Sequence, residues 1–322
     1  MYTNMKTSND LLTDKFGRTV KSLRISLTNR CNLDCIYCHS EGDEGSRNEM
    51  TVGMISDIVT TAAKFGVNKV KFSGGEPLVR KDFEEILRAL PELKDVSVTT
   101  NGVLLKDRAY ALKEAGLDRV NVSLDTLDPE KYAYITHGKP ENLNDVLEGI
   151  NAAIDAGLTP VKINMVLLKG INENEIDEML DFVRTHKGDL VLQIIQVMDF
   201  REGAQYNLDA EEIEKDLERR ADTTRMRKMH HRKSYIIDGA EVEFVRPIDN
   251  AEFCANCNRL RITADGKLKP CLLVNDNLID FSNADPEDLP ELLRASIERR
   301  IPFYRDSKER RIIEKKTIIG DQ

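Results

Sequence analysis

From residue 20 to residue 197 the chain alternates short apolar runs with longer amphipathic stretches, and this alternation restricts its fold more than any other feature. Residues 20–28 set Leu23, Ile25 and Leu27 at every second position, the pattern of a strand with one buried face. Further runs at 67–73, 96–100, 119–124, 161–168 and 190–197 also read as strands. The stretches between them, 51–66, 81–90, 104–115, 142–156 and 173–186, read as helices. Thr51 is the expected N-cap of the first helix and Gly66 its C′ residue. Such β units predict a parallel α/β sheet that right-handed crossovers would curl. Loops following the strands would then gather at one mouth, where such sheets place their chemistry. Those loops carry the thiols described next, Gly74-Gly75-Glu76-Pro77, Thr99-Thr100-Asn101-Gly102, Ser123-Leu124-Asp125 and Met198.

The loop after the first strand holds Cys31, Cys35 and Cys38 at Cys-x3-Cys-x2-Cys spacing. Soft thiolates so spaced suit iron–sulfur or zinc. A cubane cluster has four irons and three thiols are offered, so one iron would be open to a small-molecule ligand. Zinc completed by His39 is a competing reading. Cys35 to His39 also has the form of a haem-attachment pattern, which leaves Cys31 unexplained. Disulfides would leave an odd thiol and need an oxidising compartment. A second trio, Cys254, Cys257 and Cys271, follows at Cys-x2-Cys-x13-Cys spacing. It reads either as zinc completed by His230 or His231, or as a second open cluster. All six cysteines fall into the two trios, which favours two cofactor sites. Arg259 and Arg261 alternate on a predicted strand and would point to one side. Two guanidinium forks beside a metal site suit phosphate; a solvent-exposed pair is the plainer reading.

The net charge of −9 argues against a general nucleic-acid binder but leaves room for a local basic pocket. No apolar run approaches membrane-spanning length, and residues 1–14 lack an apolar signal core, so a cytoplasmic protein is expected. Residues 210–220 read as a charged helix, and Asp238-Gly239 as a hairpin turn between 235–237 and 242–245. The basic run 225–233 is ordinarily a solvated face, with a pocket wall as the other reading.

The first trio, with Tyr37 before its last cysteine and a Gly-Gly-Glu-Pro turn one strand later, resembles the radical S-adenosylmethionine (SAM) superfamily. With the second trio and its Arg-x-Arg, the chain resembles the MoaA-type GTP 3′,8-cyclases of molybdenum cofactor biosynthesis. The likeness covers nearly the whole chain. It runs from Asp14-Lys15-Phe16-Gly17-Arg18 through Leu23-Arg24-Ile25-Ser26, Asn121-Val122-Ser123-Leu124-Asp125 and Lys169-Gly170-Ile171-Asn172 to the second trio. The resemblance implies an incomplete (β/α)6 TIM-like barrel over residues 1–225, residues 1–15 being a flexible lead-in. It also implies a smaller C-terminal α+β domain over 226–322 carrying a second cluster. It implies two [4Fe-4S] clusters on the two trios, the first binding SAM. A 5′-deoxyadenosyl radical would take the C3′ hydrogen of GTP, and the sugar would close on guanine C8. SAM would be lined by Tyr37, Ser73, Gly74, Gly75, Glu76, Thr100, Ser123 and Met198. The triphosphate would be held by Arg24, Lys69, Lys71, Lys162, Arg259 and Arg261. Implied partners are GTP, an electron donor such as ferredoxin or flavodoxin, a downstream pterin synthase and a second copy in a homodimer. Two departures stand out: the end Ile319-Gly320-Asp321-Gln322 in place of a Gly-Gly tail, and Gln193 in place of an arginine. They keep open a peptide-modifying radical SAM paralogue; a non-catalytic metal scaffold is the third reading.

Overall fold

The computed structural model describes residues 11–42, 46, 48–186, 188–198, 201–227, 231–248 and 250–303. Strands and helices alternate in its first two thirds. β1 (Ser22–Ser26) is followed by α1 (Val52–Lys64), β2 (Lys69–Ser73) by α2 (Phe83–Arg88), and β3 (Asp95–Thr100) by α3 (Ala109–Glu114). β4 (Arg119–Ser123) leads to α4 (Pro129–Thr136) and α5 (Asn142–Asp155), and β5 (Val161–Leu167) to α6 (Ile176–Thr185) and β6 (Leu190–Gln196). The remainder comprises α7 (Ala210–Arg220), β7 (Thr223–Met226), β8 (Lys233–Ile237), β9 (Ala240–Val245) and α8 (Ala251–Ala255). It ends with β10 (Arg259–Ile262), β11 (Lys267–Lys269), β12 (Ile279–Asp280) and α9 (Leu289–Glu298).

All the strands among the described residues join one sheet, in the order β12-β11-β10-β1-β2-β3-β4-β5-β6-β9-β8-β7. β1 to β6 are parallel neighbours in chain order, as the strand–helix alternation predicts. The C-terminal segment adds to both edges: β9 pairs parallel with β6 and β10 parallel with β1. The expected hairpin is present as β8 and β9, paired antiparallel around Asp238-Gly239.

The period of two along each strand sorts the sheet's faces. Leu23, Ile25, Val70, Phe72, Val98, Val120, Val122, Ile163, Leu192 and Ile194 are buried in the main apolar core. Their alternate neighbours Arg24, Lys71, Ser97, Arg119, Asn121, Lys162, Asn164 and Gln193 line a cavity. In α1, Ile55, Ile58, Val59 and Ala62 form the buried face, and Thr51 Oγ1 accepts from the Met54 amide at 3.2 Å. Gly66 takes φ +88°, the left-handed turn that ends such a helix.

Two helices are shorter than expected. The Gly-Gly-Glu-Pro turn continues as a 3-10 turn over Pro77–Val79, and Pro91 disfavours helix at Leu90, which confines α2. Turns occupy 102–108 before α3 begins. The sequence reading missed α4. Its signal is Asp128-Pro129-Glu130: Asp128 accepts from the Glu130 and Lys131 amides, with proline at the first helical position.

Asn172 ties the loop after β4 to the loop after β5. It is fully buried, donates to the carbonyls of Asp125 and Val166, and accepts from the Leu168 amide. Asn172→Ala leaves these buried groups unpaired and should cost about 2–4 kcal/mol. The urea midpoint should fall with an unchanged slope; an unmoved midpoint refutes the bracing role.

Candidate active site

The loop carrying the first trio is clamped by the turn after β2. The Gly75 amide donates to the Thr28 carbonyl at 2.7 Å and the Glu76 amide to the Arg30 carbonyl at 2.8 Å. Glycine is required here by close approach. A Cβ on Gly74, already at φ +142°, would lie 2.4 Å from Thr28 O, and one on Gly75 2.2 Å from Arg30 O. Glu76 is buried and accepts from the amides of Leu78 and Asn101 and from Thr100 Oγ1. Burial pushes its carboxyl up to about 7 against these donors. Asn101 reaches back to Asn32 at 2.7 Å, and Tyr37 donates to Asp125 at 2.6 Å. The loops after β1, β2, β3 and β4 therefore meet, as expected of a single mouth.

The two trios lie at opposite ends of β1 and β10. Cys31, Cys35 and Cys38 follow β1. Cys254 and Cys257 precede β10, and Cys271 follows β11, which runs antiparallel to β10. At about 3.3 Å per residue, a five-residue strand separates the ends by roughly 15 Å.

Beside the second trio lies a cavity of about 370 Å³, lined by Cys254, Cys257 and Cys271 and by many cations; Cys31, Cys35 and Cys38 are not on its wall. Arg24, Lys69, Lys71, Lys162, Arg259 and Arg261 all line it, and so does Met198. Burial pulls Lys71 well below the usual lysine range, with Arg24 and Arg259 adding to it. Burial likewise takes Lys162 down to about 6, with Arg227 and Arg232 adding to it, although its Nζ lies 2.6 Å from Glu243. That carboxylate is shared with Arg227 and, at 3.5 Å, Arg232, so Lys162 does not hold it alone.

Each trio supplies three soft sulfur donors, and none of the six cysteines is in a disulfide. Burial pushes Cys35 well up, and raises Cys31 and Cys271. Bare thiolates in such places are costly, and cationic iron offsets that cost, so the donor sets fit iron–sulfur clusters. Of the histidines weighed as zinc ligands, His231 is exposed with Nδ1 3.0 Å from Glu252, and His39 lines the cavity. His230 and the end Ile319-Gly320-Asp321-Gln322 lie outside the described residues.

Several expected SAM-site residues have protein partners instead of a place on the described cavity wall. Tyr37 bonds Asp125, Ser73 Oγ accepts from Arg24, and Glu76 and Thr100 bond each other. Ser123 ends β4 beside these loops. One reading is corrected: the basic run is not a solvated face throughout, because Arg227 and Arg232 line the cavity. The sequence reading also missed Arg119, Arg300, Glu41, Asp95 and Glu243. Arg119 sits in the expected strand 119–124 at the cavity-facing parity, and that signal was available.

Residues 25–183 match the family profile described as Radical SAM superfamily, and residues 190–305 that described as Molybdenum Cofactor Synthesis C. A protein of Methanosarcina mazei named "Probable GTP 3′,8-cyclase" is 61% identical, over 92% of this chain and 90% of its own. Proteins of the same name from Methanothermobacter thermautotrophicus and Archaeoglobus fulgidus are 50% and 44% identical. The former match covers 90% of this chain and 98% of the relative, the latter 92% and 100%. Among solved structures, Streptococcus suis SuiB bound to S-adenosylmethionine superposes with a TM-score of 0.60 at 20% identity over 84% of this chain. The chain spans 63% of that protein's length. Native anSMEcpe with bound AdoMet and Cp18Cys peptide gives 0.59 at 19% identity, over 85% of this chain and 81% of the other. These two likenesses show a shared fold. The chain belongs to the GTP 3′,8-cyclase family of radical SAM proteins.

The depressed lysines carry a pH signature. A polyanion entering the cavity favours the charged ammonium, raising Lys71 and Lys162 and drawing protons from solvent. Calorimetry with inorganic tripolyphosphate at a pH near 8, in buffers of differing ionisation enthalpy, should show net proton uptake and affinity falling as pH rises. Zero uptake means both lysines are already charged in the empty cavity.

Proposed function

We propose that this chain converts GTP to 3′,8-cyclo-GTP, the first step of molybdenum cofactor biosynthesis. The observation that carries the reading is the cavity walled by Arg24, Lys69, Lys71, Lys162, Arg259 and Arg261 that ends on Cys254, Cys257 and Cys271. A pocket so cationic, inside a chain of net charge −9, suits a nucleoside triphosphate.

Cys31, Cys35 and Cys38 would hold one [4Fe-4S] cluster, and Cys254, Cys257 and Cys271 a second beside the guanine. SAM would lie against the first, along Tyr37, Ser73, Gly74, Gly75, Glu76, Thr100, Ser123 and Met198. When bound and reduced, these groups supply a carbon radical able to remove an unactivated ribose hydrogen. The chain's own residues set which hydrogen is taken. The cations fix the triphosphate and the second site fixes the base, so the ribose is held from both ends. Loss of the C3′ hydrogen then leaves a sugar carbon positioned to bond C8. The C8–N7 double bond opens, and the nitrogen would take one electron, supplied by the electron donor, and one proton to give a product isomeric with GTP. Such positioning supplies much of an enzyme's rate enhancement. Residues 1–225 form the radical SAM core in this reading and 226–322 the substrate-binding unit. An electron donor such as ferredoxin or flavodoxin serves the first site, and a pterin synthase consumes the product in the cytoplasm. No helix among the described residues is long and apolar enough to cross a membrane.

The peptide-modifying alternative has the fold in its favour, since SuiB bound to precursor peptide SuiA superposes with a TM-score of 0.63. It gives the cations of the cavity no task.

The test is anaerobic. The reconstituted chain should carry about eight irons, two cubane clusters. With SAM, dithionite and GTP it should yield 5′-deoxyadenosine and a product isomeric with GTP. Deoxyadenosine without GTP conversion overturns the substrate assignment. Cys35→Ser should abolish SAM cleavage; a variant that still cleaves SAM removes the radical SAM assignment. Arg259→Ala should weaken GTP binding about tenfold or more, the scale of one charge-assisted contact, while sparing uncoupled SAM cleavage. Unchanged GTP affinity moves the triphosphate elsewhere.

A further inference from the structure

On the cavity face, Arg261, Arg24 and Lys71 are register partners on β10, β1 and β2, and Ser97 links Lys71 to Arg119 on β4. Like charges directly opposite one another destabilise a sheet. The arrangement therefore needs anions, and four carboxylates supply them, each bridging at least two cations. Asp14 bridges Arg18 at 2.7 Å and Arg300 at 3.2 Å. Asp95 bridges Arg119 at 2.7 Å and Lys69 at 3.9 Å. Glu243 bridges Lys162, Arg227 and Arg232. Glu41 bridges Arg24 at 2.8 Å and Arg261 at 2.6 Å, giving one oxygen to each.

Glu41 differs from the other three in where it comes from. It lies three residues beyond Cys38, in the loop that carries the first trio. Its backbone is left-handed, φ 52° and ψ 21°, a region side-chain-bearing residues seldom occupy. The turn is pinned from the opposite side. Lys269 Nζ donates to the carbonyls of Gly42 at 2.6 Å and Glu41 at 3.4 Å. Gly42 packs so closely that a Cβ there would lie 2.6 Å from the carbonyl of Leu272, the residue after Cys271. The turn is thus wedged between the loops of the two trios.

We propose that Glu41 is a positioning residue for the triphosphate: it stays in place when substrate binds, and fixes Arg24 and Arg261 so that their remaining N–H groups meet phosphate oxygens. This rests on the GTP reading. The opposite behaviour is a plug, in which the carboxylate competes with phosphate and must leave. The pinned turn speaks for the first. The two predict opposite signs. Removing a positioning anion frees two guanidinium groups to repel and weakens binding, whereas removing a plug tightens it.

The experiment uses the reconstituted full chain as wild type, Glu41→Gln and Glu41→Asp. Glu41→Gln keeps the shape and loses the charge. Glu41→Asp keeps the charge but is too short to reach both arginines, and serves if the glutamine variant does not fold. KM for GTP should rise about tenfold in Glu41→Gln, the scale of one charge-assisted contact, and less in Glu41→Asp. Turnover at saturating GTP and SAM cleavage without GTP should stay near wild type, which a general loss of structure would not allow. A KM that is unchanged or lower overturns the proposal. If wild type does not convert GTP, the functional reading falls by itself, and titration with inorganic tripolyphosphate still decides Glu41. Weaker binding by Glu41→Gln than by wild type supports the positioning role; equal or tighter binding overturns it.

Discussion

The structure depends on keeping like charges together inside a sheet. Strand alternation puts apolar side chains toward the helices, so every other residue of β1, β2, β4, β5 and β10 faces inward. In this chain many of those residues are arginine or lysine. Two unit charges 5 Å apart repel by roughly 3 kcal/mol at an effective dielectric near 20, comparable to a sizeable part of a domain's net stability. Asp14, Glu41, Asp95 and Glu243 keep the arrangement viable, each shared by at least two cations. Burial pulls Lys71 and Lys162 well below the usual lysine range, and neighbouring cations that the sharing leaves in place add to it. A cavity in this state has a standing preference for an incoming anion of high charge.

The same sheet explains why two family profiles describe one site. The C-terminal segment wraps the parallel core from both edges: β9 joins β6 while β10 joins β1. Arg227 and Arg232 therefore reach the cavity from one edge and Arg259 and Arg261 from the other. Because β10 runs parallel to β1, the thiols before β10 fall at the end of β1 opposite its own thiol loop. Arg300 and Arg18 hold that second loop from behind, donating to the carbonyls of Cys257 and Cys254 at 2.8 and 3.2 Å, with Asp14 between them.

What could be read in the sequence was what is local. The strand period, the cap at Thr51, the Asp238-Gly239 turn and the three-thiol loops are set by residues a few positions apart. The Arg259–Arg261 parity is equally local and placed both in the cavity. What escaped was pairing across the chain. Glu41 meets an arginine 220 positions away and Glu243 a lysine 81 positions away. An acidic residue in a polar loop carries no mark that its carboxylate will be held between two guanidinium groups. The basic run at 225–233 misled for a related reason: charge runs are normally solvated, and only the pairing of β9 with β6 turns part of this one inward.

Gln193 shows how far position can mislead when charge is what matters. An arginine was expected there, and the glutamine lowers the local charge by one. Yet Gln193 Oε1 accepts from Arg232 Nη1 at 3.1 Å while its amide donates to Asn164 at 2.8 Å. The guanidinium is present beside position 193, delivered by the segment leading into β8 instead of by β6. It is also anchored, because Glu243 lies directly across from Gln193 in the β6–β9 register and its carboxylate is 3.5 Å from the same Arg232. An arginine at 193 would crowd Arg232 and Arg227 around one carboxylate, adding a further like charge to a cluster that already depresses Lys162. Gln193 therefore fits beside Arg232, which itself brings a guanidinium to this part of the cavity.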